Sequence, residues 1–345
     1  MQKINLGIIG CGHWGPNYVR NFSQMKDVFV KYVCDLSPVK LSHIKRLYPH
    51  ITTTPDYRRI LKDKKVGAVV IATPADSHFR LVKAALNSNQ HILVEKPIAI
   101  NINEAKELMR IARHKKRILM VGHTFKFNPG INKLKEIIKN KELGRIFYIY
   151  SRRTNLGPLR RDVNVVWDLA PHDISILNYL LDSRPLSVSA WGQKYLPHNL
   201  EDVSFIMLTF RNKIMAHIHV SWLDPKKTRE IVVVGSKKMA VFDDLNLEKP
   251  IVIYDKRVMK KKFRQNYDSF EEFQMIIRDG KATTPRVKKE EPLKLECRHF
   301  IESLKKHKKP LTDGKDGLEV LTVLSGIQKS LDKGGVRVSL QRSHR

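Results

Sequence analysis

The sequence predicts an α/β protein of two domains: a doubly wound parallel sheet over residues 1–123, then an α+β domain over 124–345 with a largely antiparallel sheet and two closing helices. Three observations carry this. At 345 residues the chain is long for one core of ordinary size and suits two. Apolar, strand-like runs alternate with helical patterns through the first third, the signature of parallel strands joined by helices. After Gly144 the pattern turns to period two with short turns, which describes antiparallel strands.

Ile4 to Ile9 reads as the first strand, and Gly10-Cys11-Gly12-His13-Trp14-Gly15 leads from it into a helix from Pro16 to about Met25. In that spacing the first glycine permits a tight turn, the second lets the backbone approach a pyrophosphate, and the third lets helix pack close on strand. The free amides at the helix N-terminus then face the phosphates. Val28 to Cys34 is the second strand and ends at Asp35, at about the 20-residue distance where an acidic side chain meets a ribose diol. Together these describe a Rossmann-type dinucleotide site. A carboxylate at 35 accepts hydrogen bonds from the diol and repels a 2′-phosphate by roughly 1–4 kcal/mol per pair of unit charges, so NAD is expected over NADP. Leu36 and Ser37 bring no arginine for a phosphate, although Lys40 stands one helical turn on.

The alternation continues with helices over Val39 to Leu47, after Thr54-Pro55-Asp56, over Ser77 to Leu86 and over Ile102 to His114. Strands are expected over Ala68 to Ala72 and Leu119 to Gly122. Thr73-Pro74, at a strand's carboxyl end, is either a cofactor contact or an ordinary strand-to-helix turn. The most informative stretch is His91 to Pro97. Its apolar run, bounded by Asn89-Gln90 and Pro97, reads as a strand buried on both faces and ending in Glu95-Lys96. Open α/β sheets bind ligands at the carboxyl ends of such strands, which sets Lys96 at the rim beside the ligand. A strand-end lysine that merely reaches water is the plain alternative.

In the second domain, Asn128 caps a helix with Pro129 at its first position, and Gly144 ends it. Strands are expected over Ile146 to Ser151, Leu186 to Trp191, Val203 to Phe210, Ile214 to Val220, Ile231 to Gly235 and Met239 to Phe242. The closing helices are expected over Leu293 to Lys305 and Gly317 to Leu331. One helical segment, Trp167 to Ile174, interrupts the strands. Its Asp168 and His172 share a helix face, so the carboxylate could orient an imidazole that exchanges protons near neutral pH, or the pair could be a structural polar contact. Pro171 implies that the helix begins near it or kinks there.

With 64 Lys and Arg against 34 Asp and Glu, the formal charge of +30 favours anionic partners. The densest basic run, Lys256 to Arg264, lies in no recognisable nucleic-acid module, so specific nucleic-acid binding is not expected. No apolar run reaches 18 residues, and the first residues form no signal-peptide pattern, so a cytoplasmic protein without membrane insertion is expected. Cys11, Cys34 and Cys297 show no metal spacing. His217 and His219 share a strand face without a carboxylate or cysteine to complete a set, so no metal is expected.

Over nearly its whole length the chain resembles the glucose-fructose oxidoreductase, inositol dehydrogenase and MocA (Gfo/Idh/MocA) family. The residues that carry the likeness are Gly10 to Gly15, Ala72-Thr73-Pro74 with His78 after it, Glu95-Lys96-Pro97, Gly122-His123 followed by Phe127-Asn128-Pro129, and Asp168 with His172. The resemblance implies a catalytic group of Lys96, Asp168 and His172, a cis peptide bond before Pro97, and cofactor contacts extending to Thr73, Pro74, His78, Glu95 and Lys96. It also implies an open second sheet whose exposed face builds a homodimer or homotetramer. Ser175 departs from the pattern, since many members carry an aspartate there. The segments Arg153 to Gly157 and Trp167 to Asp173 are similar to a branch associated with bacterial sugar and surface-polysaccharide metabolism.

These implications describe an NAD-dependent dehydrogenase acting on a sugar or nucleotide-sugar hydroxyl, with the 3-hydroxyl of a UDP-N-acetylhexosamine or its uronate as the leading substrate and a polyol such as inositol as the runner-up. Either His172 or Lys96 is the formal base. The competing reading is a dinucleotide-binding regulator without turnover, which retention of Lys96, Asp168 and His172 opposes.

Overall fold

The computed structural model describes residues 3–340 apart from 158, 161, 198 and 261–274. The chain divides into two units, Met1–Asn128 with Glu290–Ser325, and Pro129–Lys289 with Gly326–Arg345.

In the first unit, β1 (Ile4–Ile9), β2 (Val28–Cys34), β3 (Thr52–Thr54), β4 (Val66–Ile71), β5 (His91–Glu95) and β6 (Leu119–Gly122) form a sheet in the order β3-β2-β1-β4-β5-β6. Its paired strands are all parallel. Val69 to Ile71 and Ile92 to Val94 are fully buried, as continuous apolar runs in a doubly covered parallel sheet must be. The strand order reverses between β1 and β4, so the loops leaving those two strands lie side by side. The connecting helices are α1 (Gly15–Ser23), α2 (Pro38–Leu47), α3 (Arg58–Lys62), α4 (His78–Asn87) and α5 (Ile102–His114). Asn101 caps α5 by accepting the Glu104 N–H at 3.0 Å, which is why that helix starts where the sequence indicates.

The second unit opens with α6 (Pro129–Lys139), which stops before Gly144; a turn through Glu142 and Gly144 leads on to the sheet. Its strands are β7 (Ile146–Leu156), β8 (Ser187–Gln193), β9 (Val203–Thr209), β10 (Met215–Ser221), β11 (Leu223–Gly235), β12 (Met239–Asp243), β13 (Ile251–Lys260), β14 (Met275–Thr283) and β15 (Val338–Ser339). They form an open sheet in the order β14-β13-β12-β11-β7-β10-β9-β8-β15. β7 and β10 pair in parallel and the other neighbours antiparallel. Strands β13, β14 and β15 are additions to the expected set. The basic run at Lys256 begins on β13, and its residues 261–264 lie outside the described residues.

α7 (Val165–Leu181) packs on β7, β9 and β10. The helix neither begins at Pro171 nor ends there. Asn164 caps it by accepting the Trp167 N–H at 3.1 Å, and Pro171 sits inside. A proline removes one intrahelical bond, and here burial of Val166, Ala170, Ile174, Leu177 and Leu180 outweighs that loss. The opposite sheet face exposes Tyr148, Tyr150, Trp191, Phe205, Met207 and Met215. The Phe205 ring stacks on His219 at 4.4 Å, with His217 beyond at 6.1 Å.

Two helices follow the second sheet, α8 (Pro292–Lys306) and α9 (Gly314–Leu331). The division of the chain differs here from the expected boundary at 123/124. α8 places Leu293, Cys297, Phe300, Ile301 and Leu304 in the same core as Tyr18, Val19 and Phe22 of α1, with the Phe22 and Phe300 rings edge to face at 6.5 Å. Arg20 grips Glu291, just before α8, with two hydrogen bonds of 3.0 and 2.6 Å. Without α8 the aromatic face of α1 would meet water. Because Phe300 is fully buried in this core, Phe300→Ala should destabilise the protein by roughly 3–5 kcal/mol in a denaturant titration. A change below about 1 kcal/mol would mean that α8 is peripheral to the first unit.

Candidate active site

The turn after β1 is set by close approach. Gly10 has φ +98°, and a Cβ there would meet the Ala72 carbonyl oxygen at 2.6 Å; a Cβ on Gly15 would overlap the Gly10 carbonyl. A Cβ on Gly12 would meet nothing within 4 Å, so the backbone there is open to a ligand. Trp14 precedes α1 without a side-chain cap, which leaves the first amides of the helix available. His13 is exposed and sets its ring edge to face against Trp14 at 5.2 Å. Cys11 turns its thiol inward, where burial beside Asp35 pushes it up to about 12, so only its backbone is offered.

Asp35 is held at both oxygens. Oδ2 accepts the Cys11 N–H at 2.6 Å and Oδ1 accepts the Ser37 N–H at 2.9 Å, with the Lys40 ammonium 3.9 Å from Oδ1. The carboxylate is thereby tied to the glycine turn itself.

Thr73 and Pro74 follow β4, and the Thr73 hydroxyl lies 2.6 Å from that of Ser77. His78 and Glu95 were expected among the cofactor contacts, and the structure gives their side chains another task. His78 is 0% exposed, with Nδ1 2.7 Å from the Pro97 carbonyl and Nε2 2.9 Å from the Thr73 carbonyl. It ties the loop after β4 to the loop after β5, and burial pushes its pKa down. Glu95 is buried, accepting the Tyr18 hydroxyl at 2.8 Å and the Lys96 N–H at 3.2 Å. Both side chains are engaged within the fold behind the sheet edge. The Lys96-Pro97 bond is cis, and Lys96 is half-buried at the carboxyl end of β5. The glycine turn, Asp35, Thr73, Pro74 and Lys96 thus share one edge of the first sheet.

In the second unit, Asp168 and His172 lie one turn apart on α7. Asp168 accepts the Trp222 indole N–H at 3.2 Å and an Arg160 N–H at 3.3 Å, so its direction is fixed by two donors. One residue past His172, buried Asp173 accepts from Arg153 at 2.7 and 3.3 Å and from the Ser151 hydroxyl at 2.5 Å, pinning α7 to β7. Ser175 is buried. Sequence reasoning did not assign roles to Tyr18 or Trp222, because their partners lie 77 and 54 residues away in the chain, nor to Arg160, whose partner Asp168 is eight residues on. Among the described residues no group of three or more His, Cys, Asp or Glu side chains could hold a metal ion, and no helix is long and apolar enough to cross a membrane.

A parallel sheet in this order, with this glycine turn and an acidic residue after β2, defines a dinucleotide-binding domain. Comparison with known proteins agrees. A family model described as an oxidoreductase family with an NAD-binding Rossmann fold matches residues 4–123, and the GFO/IDH/MocA C-terminal domain matches 131–241. The chain belongs to the Gfo/Idh/MocA family of NAD-binding oxidoreductases.

The uncharacterized oxidoreductase YrbE of Bacillus subtilis is 27% identical over 100% of this chain and 98% of its own. The myo-inositol 2-dehydrogenase of Thermotoga maritima is 22% identical over 96% of this chain and 97% of its own. The UDP-N-acetylglucosamine 3-dehydrogenase of Acidithiobacillus ferrooxidans is 25% identical over 71% of this chain and 76% of its own. The solved structure of that enzyme, GnnA, superposes with a TM-score of 0.80 at 22% identity, covering 99% of this chain and 100% of that one.

The strand that delivers Lys96 starts at His91, whose Nδ1 accepts the Ile118 N–H at 3.0 Å and whose Nε2 lies 3.3 Å from Arg117. Burial, then the Arg117 charge, lowers this imidazole to about 4. Its folded value lies below the unfolded value of about 6.5, so the stability it contributes is present above that value and is lost as pH falls through about 4. Thermal midpoints at pH 7 and 4.5 should show wild type losing ground to His91→Gln, whose amide oxygen can still accept the Ile118 N–H. A pH-independent difference would contradict a neutral His91.

Proposed function

We propose that the chain is an NAD-dependent dehydrogenase that oxidises a hydroxyl of a sugar or nucleotide sugar, with the 3-hydroxyl of a UDP-N-acetylhexosamine or its uronate as the leading substrate. The observation that carries this reading is Lys96 at the carboxyl end of β5, on the edge shared with the glycine turn and Asp35. The Acidithiobacillus relative supports the substrate class, and the net charge of +30 suits a diphosphate-bearing substrate. The Thermotoga relative favours a polyol as the second reading.

The glycine turn and the open amides of α1 would hold the pyrophosphate of NAD, and Asp35 the adenosine ribose. When bound, NAD supplies the acceptor for the carbinol hydrogen. In this reading His172 takes the hydroxyl proton, since an imidazole exchanges protons near neutral pH, with Asp168 one helical turn before it on α7. Lys96 donates a hydrogen bond to the developing alkoxide. The protein acts in the cytoplasm as a homodimer or homotetramer; the exposed aromatic face of the second sheet supports an assembly between copies.

A screen of UDP-sugars and polyols for NADH formation tests the reaction and separates the two substrate readings. On the substrate so found, Lys96→Met and His172→Gln should each lower turnover by roughly two to four orders of magnitude while NAD binding is nearly unchanged. The double variant should lose far less than the product of the two, because the groups act as a unit. Near-normal turnover in folded Lys96→Met would refute the assignment.

Asp35 should make NAD raise the thermal midpoint more than NADP at equal concentration, and Asp35→Asn should narrow the preference by roughly tenfold in affinity. An equal shift with both dinucleotides in wild type would overturn the NAD preference.

A further inference from the structure

Behind Lys96 lies a closed polar cluster drawn from four elements of the first unit: Tyr18 on α1, Glu95 on β5, Thr124 just after β6 and Glu296 on α8. Tyr18 and Glu296 are 0% exposed, and Glu95 is buried as well. The cluster is packed tightly enough that a Cβ on Gly122, at the end of β6, would stand 3.2 Å from the Tyr18 hydroxyl and 3.4 Å from the Glu95 carboxyl carbon. Two carboxyl groups so enclosed cannot both ionise without a cation between them.

The donors in the cluster decide which one does. Glu95 receives the Tyr18 hydroxyl at 2.8 Å and the Lys96 N–H at 3.2 Å, and it feels the Lys96 charge. Glu296 receives the Thr124 hydroxyl at 2.9 Å on one oxygen, and among the described residues its other oxygen has no hydrogen-bond partner. The Tyr18 phenol has one hydrogen, directed to Glu95. The Tyr18 and Thr124 hydroxyls each favour the charged form of Glu296, and burial with the Glu95 charge outweighs them. Burial, and then the Glu95 charge, pushes the Glu296 carboxyl well above the ordinary carboxylate range. Burial raises Glu95 too, but Tyr18, the Lys96 charge and the Lys96 amide oppose it. The remaining neighbour on α8 that titrates, Cys297, stays a neutral thiol because burial raises it. The Arg20–Glu291 pair on the same side is internally matched.

We propose that Glu296 is a positioning residue for Lys96: it holds a proton across the neutral range, so that Glu95 is the single anion of the cluster and faces the Lys96 end of β5. The role toward Lys96 rests on the dehydrogenase reading above; the location of the proton does not. A second anion at 296 would compete with Glu95 for Tyr18. A neutral acid there leaves Glu95 fully bonded and its charge directed at the lysine.

Glutamine copies the shape of a protonated glutamic acid, so Glu296→Gln should fold. The folded carboxyl of wild type lies above its unfolded value, so its stabilisation is complete below that value and is lost as pH rises through the folded one. Between pH 5 and pH 9 the thermal midpoint of wild type should therefore fall relative to Glu296→Gln, by roughly 3 °C or more. A constant difference, a change of opposite sign, or a Glu296→Gln protein that does not fold would overturn the proposal.

Amine labelling of Lys96, read by peptide mass spectrometry at pH 8, examines the coupling. Glu95→Gln should raise the rate about three- to tenfold, since the ammonium loses a carboxylate neighbour, while Glu296→Gln should stay near wild type. No rise in Glu95→Gln, or an equal rise in Glu296→Gln, would move the anion away from Glu95 and refute the assignment. If Glu95→Gln does not fold, the two Glu296→Gln measurements decide. Neither readout requires turnover, so unaltered turnover in Lys96→Met would remove the dehydrogenase reading and leave the proton assignment standing.

Discussion

The first unit depends on how closely α1 approaches the end of β1. With Gly15 beneath the Gly10 carbonyl, the helix can leave the strand in only a narrow range of directions. Much else follows from that direction. The Cys11 amide meets Asp35 at the end of β2, and Tyr18 one turn along α1 reaches Glu95 on β5. Phe22 a further turn on creates the apolar surface that α8 covers. A turn of six residues near the start of the chain therefore sets where a helix near its end must dock.

Local chemistry was legible and long-range pairing was not. β1, β2, α5 and β6 were read to the residue because each has a clean apolar pattern and a local stop signal, such as the Asn101 cap. β11 extends well ahead of Ile231 through a charged segment without a period-two pattern, where pairing of Leu223 and of Thr228 to Glu230 with β7 supplies the order. A helix start at Pro171 is excluded because its single lost bond is a local event, whereas the burial that carries α7 through it is not. The docking of α8 is invisible in its own residues, since an amphipathic helix does not record which core it serves. At the site, the sequence named the residues at the strand ends, but gave no sign that the His78 and Glu95 side chains are buried. Spacing places a residue on an element, and the burial of its side chain depends on partners such as Tyr18 and the Pro97 carbonyl.

The lopsided charge has an internal counterpart. Acidic residues are outnumbered by 64 to 34, yet they hold many of the interior polar posts: Asp173 against Arg153, Asp316 against Lys126, Glu95 beneath Tyr18. Removing one member of such a buried pair leaves its partner charged in a poor solvent, typically a loss of about 3–5 kcal/mol. The surplus of cations is spread over the surface, where a charge can change at little expense to folding. The outward field and the interior framework are thus carried by largely separate sets of residues.

The double engagement of Asp35 has a consequence for the ancestry of this chain. Its carboxylate closes the backbone of the glycine turn through the Cys11 amide. A lineage drifting toward the phosphorylated dinucleotide would have to discard the carboxylate to admit the phosphate, and with it the acceptor that shapes the turn. The first step would lower stability before any new affinity had been gained. Such a change is open to selection only when a compensating substitution at the turn arrives first. The acidic residue at position 35 is consequently conservative in the evolutionary sense: it is guarded by the architecture of the turn, whatever ligand the turn receives.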